Sequence, residues 1–276
     1  MSALHLKAPA KINLFLNITG RRPDGYHELQ TVFQLLDYCD DVFFDLADVL
    51  TLECEGVDVP VEQNLVYRAA IGLQQATGCR QGAKLRVVKR IPDGGGLGGG
   101  SSDAATTLIG LNRLWGLGLG TDELAAIGLS LGADVPVFVR GRSAWAEGVG
   151  EELEPVDLPG QWYVVVHPGV AVSTPEIFGH PDLTRNGTPI TIARFLRQGA
   201  GNACETVVRR LYPAVDEAAR WLARFGPAQM TGTGACVFVP AETEQQASEI
   251  ASAVPPPWSR FAARAINVSP AIGSVS

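Results

Sequence analysis

The sequence predicts an α+β protein built from two units. Three observations carry this. The segment Lys11 to Ile18 alternates with the two-residue period of a strand: Ile12, Leu14, Leu16 and Ile18 share one face, and Lys11, Asn13, Phe15 and Asn17 the other. Helical patterns interrupt the later strands without strict βαβ alternation, so a doubly wound sheet is not expected. Charge and proline gather at Glu154-Pro155-Val156-Asp157-Leu158-Pro159-Gly160, where the pattern resets. That reset places one unit at 1–157 and a second at 158–276. With 276 residues, 46% of them hydrophobic, the chain can bury a sizeable core and is not disordered.

In chain order, the first strand is expected to be half-buried. Pro23-Asp24-Gly25 reads as a turn before Tyr26-His27. Thr31 to Leu36 and Asp41 to Phe44 read as strands. Asn64 caps a helical pattern, Val66, Ala69, Ala70 and Leu73, which Gly78 closes. Lys84 to Ile91 is a strand, a glycine tract follows, and a helix runs from about Asp103 to Trp115. Asp122 to Leu131 is a helix; Val135 to Val139 and Ala144 to Ala146 read as strands. The second unit opens with the strand Trp162 to Val166. Helices span Pro213 to Phe225 and Thr243 to Ala253, glycine-rich strands lie around Met230 to Val239, and a last strand runs from Phe261 to Val268.

Composition narrows the function. There are 22 Lys and Arg against 29 Asp and Glu, a net charge of -7, which argues against a nucleic-acid partner. Cys39, Cys54, Cys79, Cys204 and Cys236 are odd in number and lack C-x-x-C spacing, so a disulfide framework or thiolate zinc site is not indicated and a cytoplasmic location fits. The stretch from Met1 to Lys7 does not read as a signal peptide. No apolar run approaches the ~20 residues of a membrane span.

The informative stretch is Pro92-Asp93-Gly94-Gly95-Gly96-Leu97-Gly98-Gly99-Gly100-Ser101-Ser102, between a strand and a helix. Such a bend can turn successive N–H groups into one concavity, and the helix start adds orphan donors and partial positive charge. Together these make a phosphate cradle. The plain alternative is a flexible linker, but Leu97 suggests a loop anchored to the core. The match to Gly-x-Gly-x-x-Gly is cheap in a polyglycine tract, and a helix occupies the place of the required second strand. No lysine follows the last glycine, so a P-loop is excluded. Gly128-Leu129-Ser130-Leu131-Gly132 imitates a hydrolase elbow, with Asp134 and His167 downstream, but Ser130 sits in a helical pattern with a strand expected after it.

These motifs resemble those of the GHMP small-molecule kinases. The tract from Gly94 to Ala104 is similar to their second motif, Ala8-Pro9-Ala10-Lys11-Ile12-Asn13-Leu14 to their first, and Thr231-Gly232-Thr233-Gly234-Ala235-Cys236-Val237-Phe238 to their third. Gly20 to His27, Leu131 to Phe138 and His167-Pro168-Gly169 resemble the branch that phosphorylates a cytidine-diphosphate-linked methylerythritol for isoprenoid synthesis. The resemblance implies a ribosomal-protein-S5-domain-2-like ATP unit and a ferredoxin-like second unit. It also implies ATP with Mg2+, a cytidine pocket and a small-molecule acceptor.

Asp134 is the expected base. A carboxylate just after a helix is poorly placed to cap it, so a solvated turn residue is the plain alternative. An exposed strand lysine is the plain reading of Lys11; by resemblance it pairs with Asp134 and keeps it ionised. Tyr26 would stack on cytosine and His27 bond its edge, with loop packing as the alternative. By resemblance Asn13, Thr174, Gly232, Thr233 and Gly234 lie on the acceptor side, and Asn64, Lys89, Pro92, Asp93 and the tract through Ser102 on the ATP side. Thr174 and Asn64 also read as helix caps, and Ser101 and Asp103 as others. Ser101 or Ser102 can offer a metal an oxygen; no acidic ligand is singled out. Asp93 replaces a residue usually apolar in the family, and a carboxylate beside a phosphate loop is unfavourable unless it points away. The runner-up is a kinase of a small alcohol such as homoserine, which needs no base-stacking pair. A non-catalytic nucleotide-binding module would keep Lys11 and Asp134 far apart.

Overall fold

Long antiparallel pairing organises the molecule, which the computed structural model describes over residues 4–55 and 59–273. Residues 1–3, part of the stretch weighed as a leader, lie outside the described residues. Strand β1 (Leu4–Arg21) pairs along its length with β2 (His27–Ala47). The two segments expected at 31–36 and 41–44 are therefore one strand. β2 also pairs with β4 (Gly82–Val88), β5 (Ala144–Glu147) and β10 (Ser259–Ile266). The remaining strands are β3 (Thr51–Glu55), β6 (Glu152–Pro155), β7 (Trp162–His167), β8 (Gln229–Met230) and β9 (Val237–Ala241). The central order is β3-β4-β2-β10-β7-β9-β8, with β3 parallel to β4. β10 thus joins the sheets of the two halves.

The first strand departs from expectation. Phe15, on the face read as polar, is fully buried against Trp145 and Phe195, and Lys11 and Asn13 are buried too. Register shifts at Pro9/Lys11 and Asn13/Leu16 bend the strand so that cores form on both sides. Leu16 and Ile18 join the core of the second half, while Ala271, near the chain's far end, joins that of the first.

Helices cover the first half as α1 (Leu65–Thr77), α2 (Gly99–Leu114), α3 (Thr121–Leu129) and α4 (Val135–Arg140). The second half carries α5 (Thr174–Gly179), α6 (Ile192–Gln198), α7 (Glu205–Leu211), α8 (Pro213–Leu222) and α9 (Glu244–Ala253). The short α10 (Pro270–Gly273) returns to the first half. Asn64 and Gly78 end α1 as expected: the Asn64 side chain accepts from the Val66 amide at 2.9 Å, and Gly78 is left-handed with φ 70°.

The segment 135–139 corrects the strand reading, because it is helical. Pro136 in the first turn suits a helix start, and Gly141 closes it with φ 62°. Val135 through Val139 are all buried, so this run is apolar on every side and has no periodicity to distinguish it from a strand. α2 likewise begins at Gly99, four residues before the expected start, with Gly98 as its N-cap.

Candidate active site

The glycine tract is a bend held from behind. Gly94, Gly96 and Gly98 have φ of 64°, 74° and 71°. The carbonyls of Gly94 and Gly95 accept from the amides of Ala235 and Cys236 at 3.2 and 3.1 Å. The Gly96 carbonyl accepts from Thr231 Oγ1 and Lys11 Nζ, and that of Leu97 from the Lys11 amide. Leu97 is buried, as anticipated for an anchor. A Cβ on Gly95 would lie 2.6 Å from Cys236 Sγ, and one on Gly98 2.8 Å from the Phe138 ring, so both positions need glycine. With the carbonyls turned inward, the amides of Gly99, Gly100 and Ser101 start α2 without intrahelical acceptors, an arrangement that suits phosphate. Asp93 is exposed. Ser101 and Asp103 are not caps: α2 has already begun at Gly99, and Asp103 is buried one turn inside it.

The loop opens onto a cleft of ≈ 740 Å³. Lys11, Asn13, Tyr26, His27, Gly96, Gly98, Ser101, Asp134, Thr174, Gly232 and Thr233 all line it. Lys11 Nζ lies 3.2 Å from Asp134 Oδ2. It also donates to Asn13 Oδ1 at 2.7 Å and to the Gly96 carbonyl at 3.0 Å, so its three protons have three directions fixed. Asn13 donates in turn to Thr31 Oγ1 at 2.8 Å, and its amide N–H to Thr231 Oγ1 at 2.9 Å. Asp134 occupies the N-cap of α4 but makes no capping bond; its carboxylate faces the lysine instead. The sequence argument set Asp134 beyond a helix C-terminus and before a strand. It actually stands at a helix N-terminus, where negative charge is favoured.

The far end of the cleft is aromatic. Asp24 Oδ1 accepts from the Tyr26 amide at 3.1 Å, which shapes the turn, and Tyr26 is 64% exposed. The His27 ring is buried and stacks on Phe178 at 5.1 Å, and Arg185 Nε donates to its Nε2 at 3.0 Å. Burial, then Arg185 and Arg21, hold the imidazole below its usual pKa. Thr174 bonds Thr233 across the cleft at 2.8 Å. It is not the N-cap expected of it; Ser173 caps α5, and Thr174 is its first residue. Gly232 and Gly234 are left-handed, with φ of 56° and 91°.

Most of the ATP-side residues do not line this cleft; of those named, only Gly96, Gly98 and Ser101 do. Asn64 is engaged as the α1 cap, and Pro92 and Asp93 lie at the loop entrance. Lys89 lies between Asp40 at 2.5 Å and Asp103 at 2.6 Å. Burial opposes its charge, but the two carboxylates raise its pKa. Burial and Asp40 push Asp103 up to about 7 against the pull of Lys89. Ser102 Oγ is buried without a partner among the described residues.

Sequence reasoning missed Thr31, Phe178, Arg185, Asp40 and Asp103. Asp40-Asp41 inside an apolar strand was a readable signal, since a buried carboxylate needs a partner. Phe178 and Arg185 lie in or beside irregular chain and carried no pattern. The hydrolase alternative fails: Ser130 follows α3, with no strand before it, and its hydroxyl donates to the Ile127 carbonyl at 2.7 Å. The separation of Lys11 and Asp134 that a non-catalytic module requires is also absent.

Comparison with known proteins agrees with this geometry. Residues 64–142 match the GHMP kinases N terminal domain, and residues 182–259 the GHMP kinases C terminal domain. The chain is 57% identical over 271 residues to 4-diphosphocytidyl-2-C-methyl-D-erythritol kinase of Alkalilimnicola ehrlichii, covering 98% of this chain and 93% of that protein. It is 55% identical to the kinase of the same name from Chromohalobacter salexigens, over 98% of this chain and 93% of the other. A crystal structure of 4-(cytidine 5'-diphospho)-2C-methyl-D-erythritol kinase superposes with a TM-score of 0.82 at 35% identity, covering 95% of this chain and 99% of that one. A homoserine kinase from Cytophaga hutchinsonii shares the fold, with a TM-score of 0.70 at 15% identity over 98% and 96% of the two chains. Among the described residues no helix is long and apolar enough to cross a membrane. Identity above one half along nearly the whole chain joins the cleft and its three motifs to one conclusion: the chain belongs to the GHMP kinases, in the 4-diphosphocytidyl-2-C-methyl-D-erythritol kinase family.

Proposed function

We infer that this chain is an ATP-dependent kinase that phosphorylates the 2-hydroxyl of 4-diphosphocytidyl-2-C-methyl-D-erythritol, in the non-mevalonate route to isoprenoid precursors. The observation that carries the reading is the Lys11–Asp134 pair, 3.2 Å apart, between a phosphate-type bend and an aromatic end of one cleft. The ATP phosphates rest on the bend and the α2 start. The cytosine end of the acceptor lies by Tyr26 and His27, and its diphosphate passes Gly232, Thr233 and Gly234. The acceptor oxygen attacks the γ-phosphorus; that P–O bond forms as the bond to the ADP oxygen breaks. The hydroxyl proton passes to Asp134. Lys11, held by Asn13 and Gly96, offsets the negative charge gathering between the oxygens.

We assign Asn64 to the adenine side of ATP and Lys89, Pro92 and Asp93 to the ATP site more broadly, with Lys89 acting from beneath the loop. The ATP unit is 1–157 and the second unit 158–276. No cluster of three or more His, Cys, Asp or Glu side chains able to hold a metal occurs among the described residues. Ser101, which lines the cleft, or Ser102 would offer an oxygen to a Mg2+ that arrives on ATP. Such an ion supplies charge neutralisation on the phosphates. A cytoplasmic site of action, without nucleic acid, accords with the net charge of -7 and the free thiols.

The test is ADP release with cytidine-diphospho-methylerythritol, with homoserine, and with no acceptor. Turnover is expected with the first alone. Turnover with homoserine alone would overturn the reading.

A further inference from the structure

We propose that Arg185 is a positioning residue that makes the His27 ring a one-way hydrogen-bond donor, tuning the cleft to a base with an unprotonated ring nitrogen. This rests on the cytidine reading of that end of the cleft. Arginine has five donors and no acceptor. The bond from Arg185 Nε to His27 Nε2 at 3.0 Å therefore requires a bare Nε2. The single proton of the neutral ring must then sit on Nδ1, which has no partner among the described residues.

The guanidinium is itself immobilised. Nη1 donates to the Leu183 carbonyl at 3.1 Å, and Nη2 to those of Phe178 and His180 at 2.7 and 2.8 Å. One side chain thus ties down the His27 ring and the backbone of the Phe178 that stacks on it. Arg185 does not line the cleft, so it acts through His27 rather than on substrate. Burial and the neighbouring Arg185 and Arg21 charges oppose protonation and keep the acceptor lone pair available. Cytosine presents an unprotonated N3, which complements an Nδ1–H donor. Uracil presents N3–H at the same place, so two donors would meet. A ring free to exchange tautomers would accept either base.

The experiment has two arms on the full-length protein. In the first, nitrogen-15 NMR of the unliganded wild type reads the His27 tautomer. A proton on Nδ1 with Nε2 bare is expected; an Nε2-protonated ring or an imidazolium at neutral pH would overturn the proposal. In the second, kcat/KM is compared for cytidine- and uridine-diphospho-methylerythritol. Arg185→Met and Arg185→Lys should each reduce the cytidine preference about tenfold or more, as a lost hydrogen-bond match predicts. KM for ATP should stay within about twofold. A folded variant that keeps the preference overturns the proposal, and the wild-type spectrum decides the tautomer even if neither variant folds. Failure of the wild type to use the cytidine substrate would instead sink the acceptor reading, leaving the tautomer result to stand separately.

Discussion

Two lysines flank the glycine bend, and both side chains are largely buried. Lys11 Nζ meets Asp134, whose side chain is 33% exposed to the cleft. Lys89 Nζ meets Asp40 and Asp103, which are 0% and 4% exposed, beneath the loop. The first arrangement leaves a carboxylate where a reacting hydroxyl can reach it. The second closes its charges against each other and pins the end of β4 and residues 90–91 to α2, since Asp40 Oδ1 also accepts from the Ile91 amide at 2.8 Å. A buried lysine is therefore not chemical by virtue of burial; what matters is whether its partner opens onto a cavity.

The contrast can be broken from either side. Lys89→Met should have the largest effect, because it leaves two buried carboxylates on one unpaired site. Urea unfolding should show a loss of about 3–5 kcal/mol. A Lys89→Met protein as stable as wild type would mean the triad holds nothing. Asp134→Asn should instead unfold normally and bind ATP within a few-fold, while turnover falls by ~100-fold or more, the scale of a lost general base. Normal turnover would remove Asp134 from the chemistry.

The triad also has a pH signature. The folded-state pKa of Asp103 is raised to about 7, above its unfolded value. Its contribution favours the fold while protonated and is lost as pH rises from about 4 through about 7. Asp103→Asn removes that titration and keeps the Lys89–Asp40 pair. Its unfolding free energy in urea relative to wild type should climb between pH 5 and pH 8, by an amount on the order of 1–3 kcal/mol at the upper end. A difference that stays flat across that range would refute the assignment. The smallest effect sharpens the cleft side: Tyr26→Ala should raise the acceptor KM about tenfold through lost stacking and leave the ATP KM unchanged. Unaltered acceptor kinetics would remove Tyr26 from the acceptor site.

Local signals were legible where a residue type has one conformational use. Asn64 and Gly78 bracket α1 as read, because capping is settled within a few residues. The strand reading of 135–139 failed because an all-apolar five-residue run has no period. The half-buried reading of the first strand failed for a related reason. Alternation shows that two faces differ, but not that one of them faces water. Lys11 and Asn13 lie on a buried polar face, paired with groups up to 218 residues away in the chain.

Sequence alone determined the glycine bend before a helix, the lysine and asparagine on one strand face, the tyrosine–histidine pair after a turn, and the order of the three motifs. Each is a short-range property set by sterics and spacing. Only the tertiary structure decided which lysine meets an open carboxylate and which meets closed ones, and how an arginine in irregular chain sets the proton on a distant histidine. Those outcomes depend on burial and on partners far apart along the chain, which local pattern does not record.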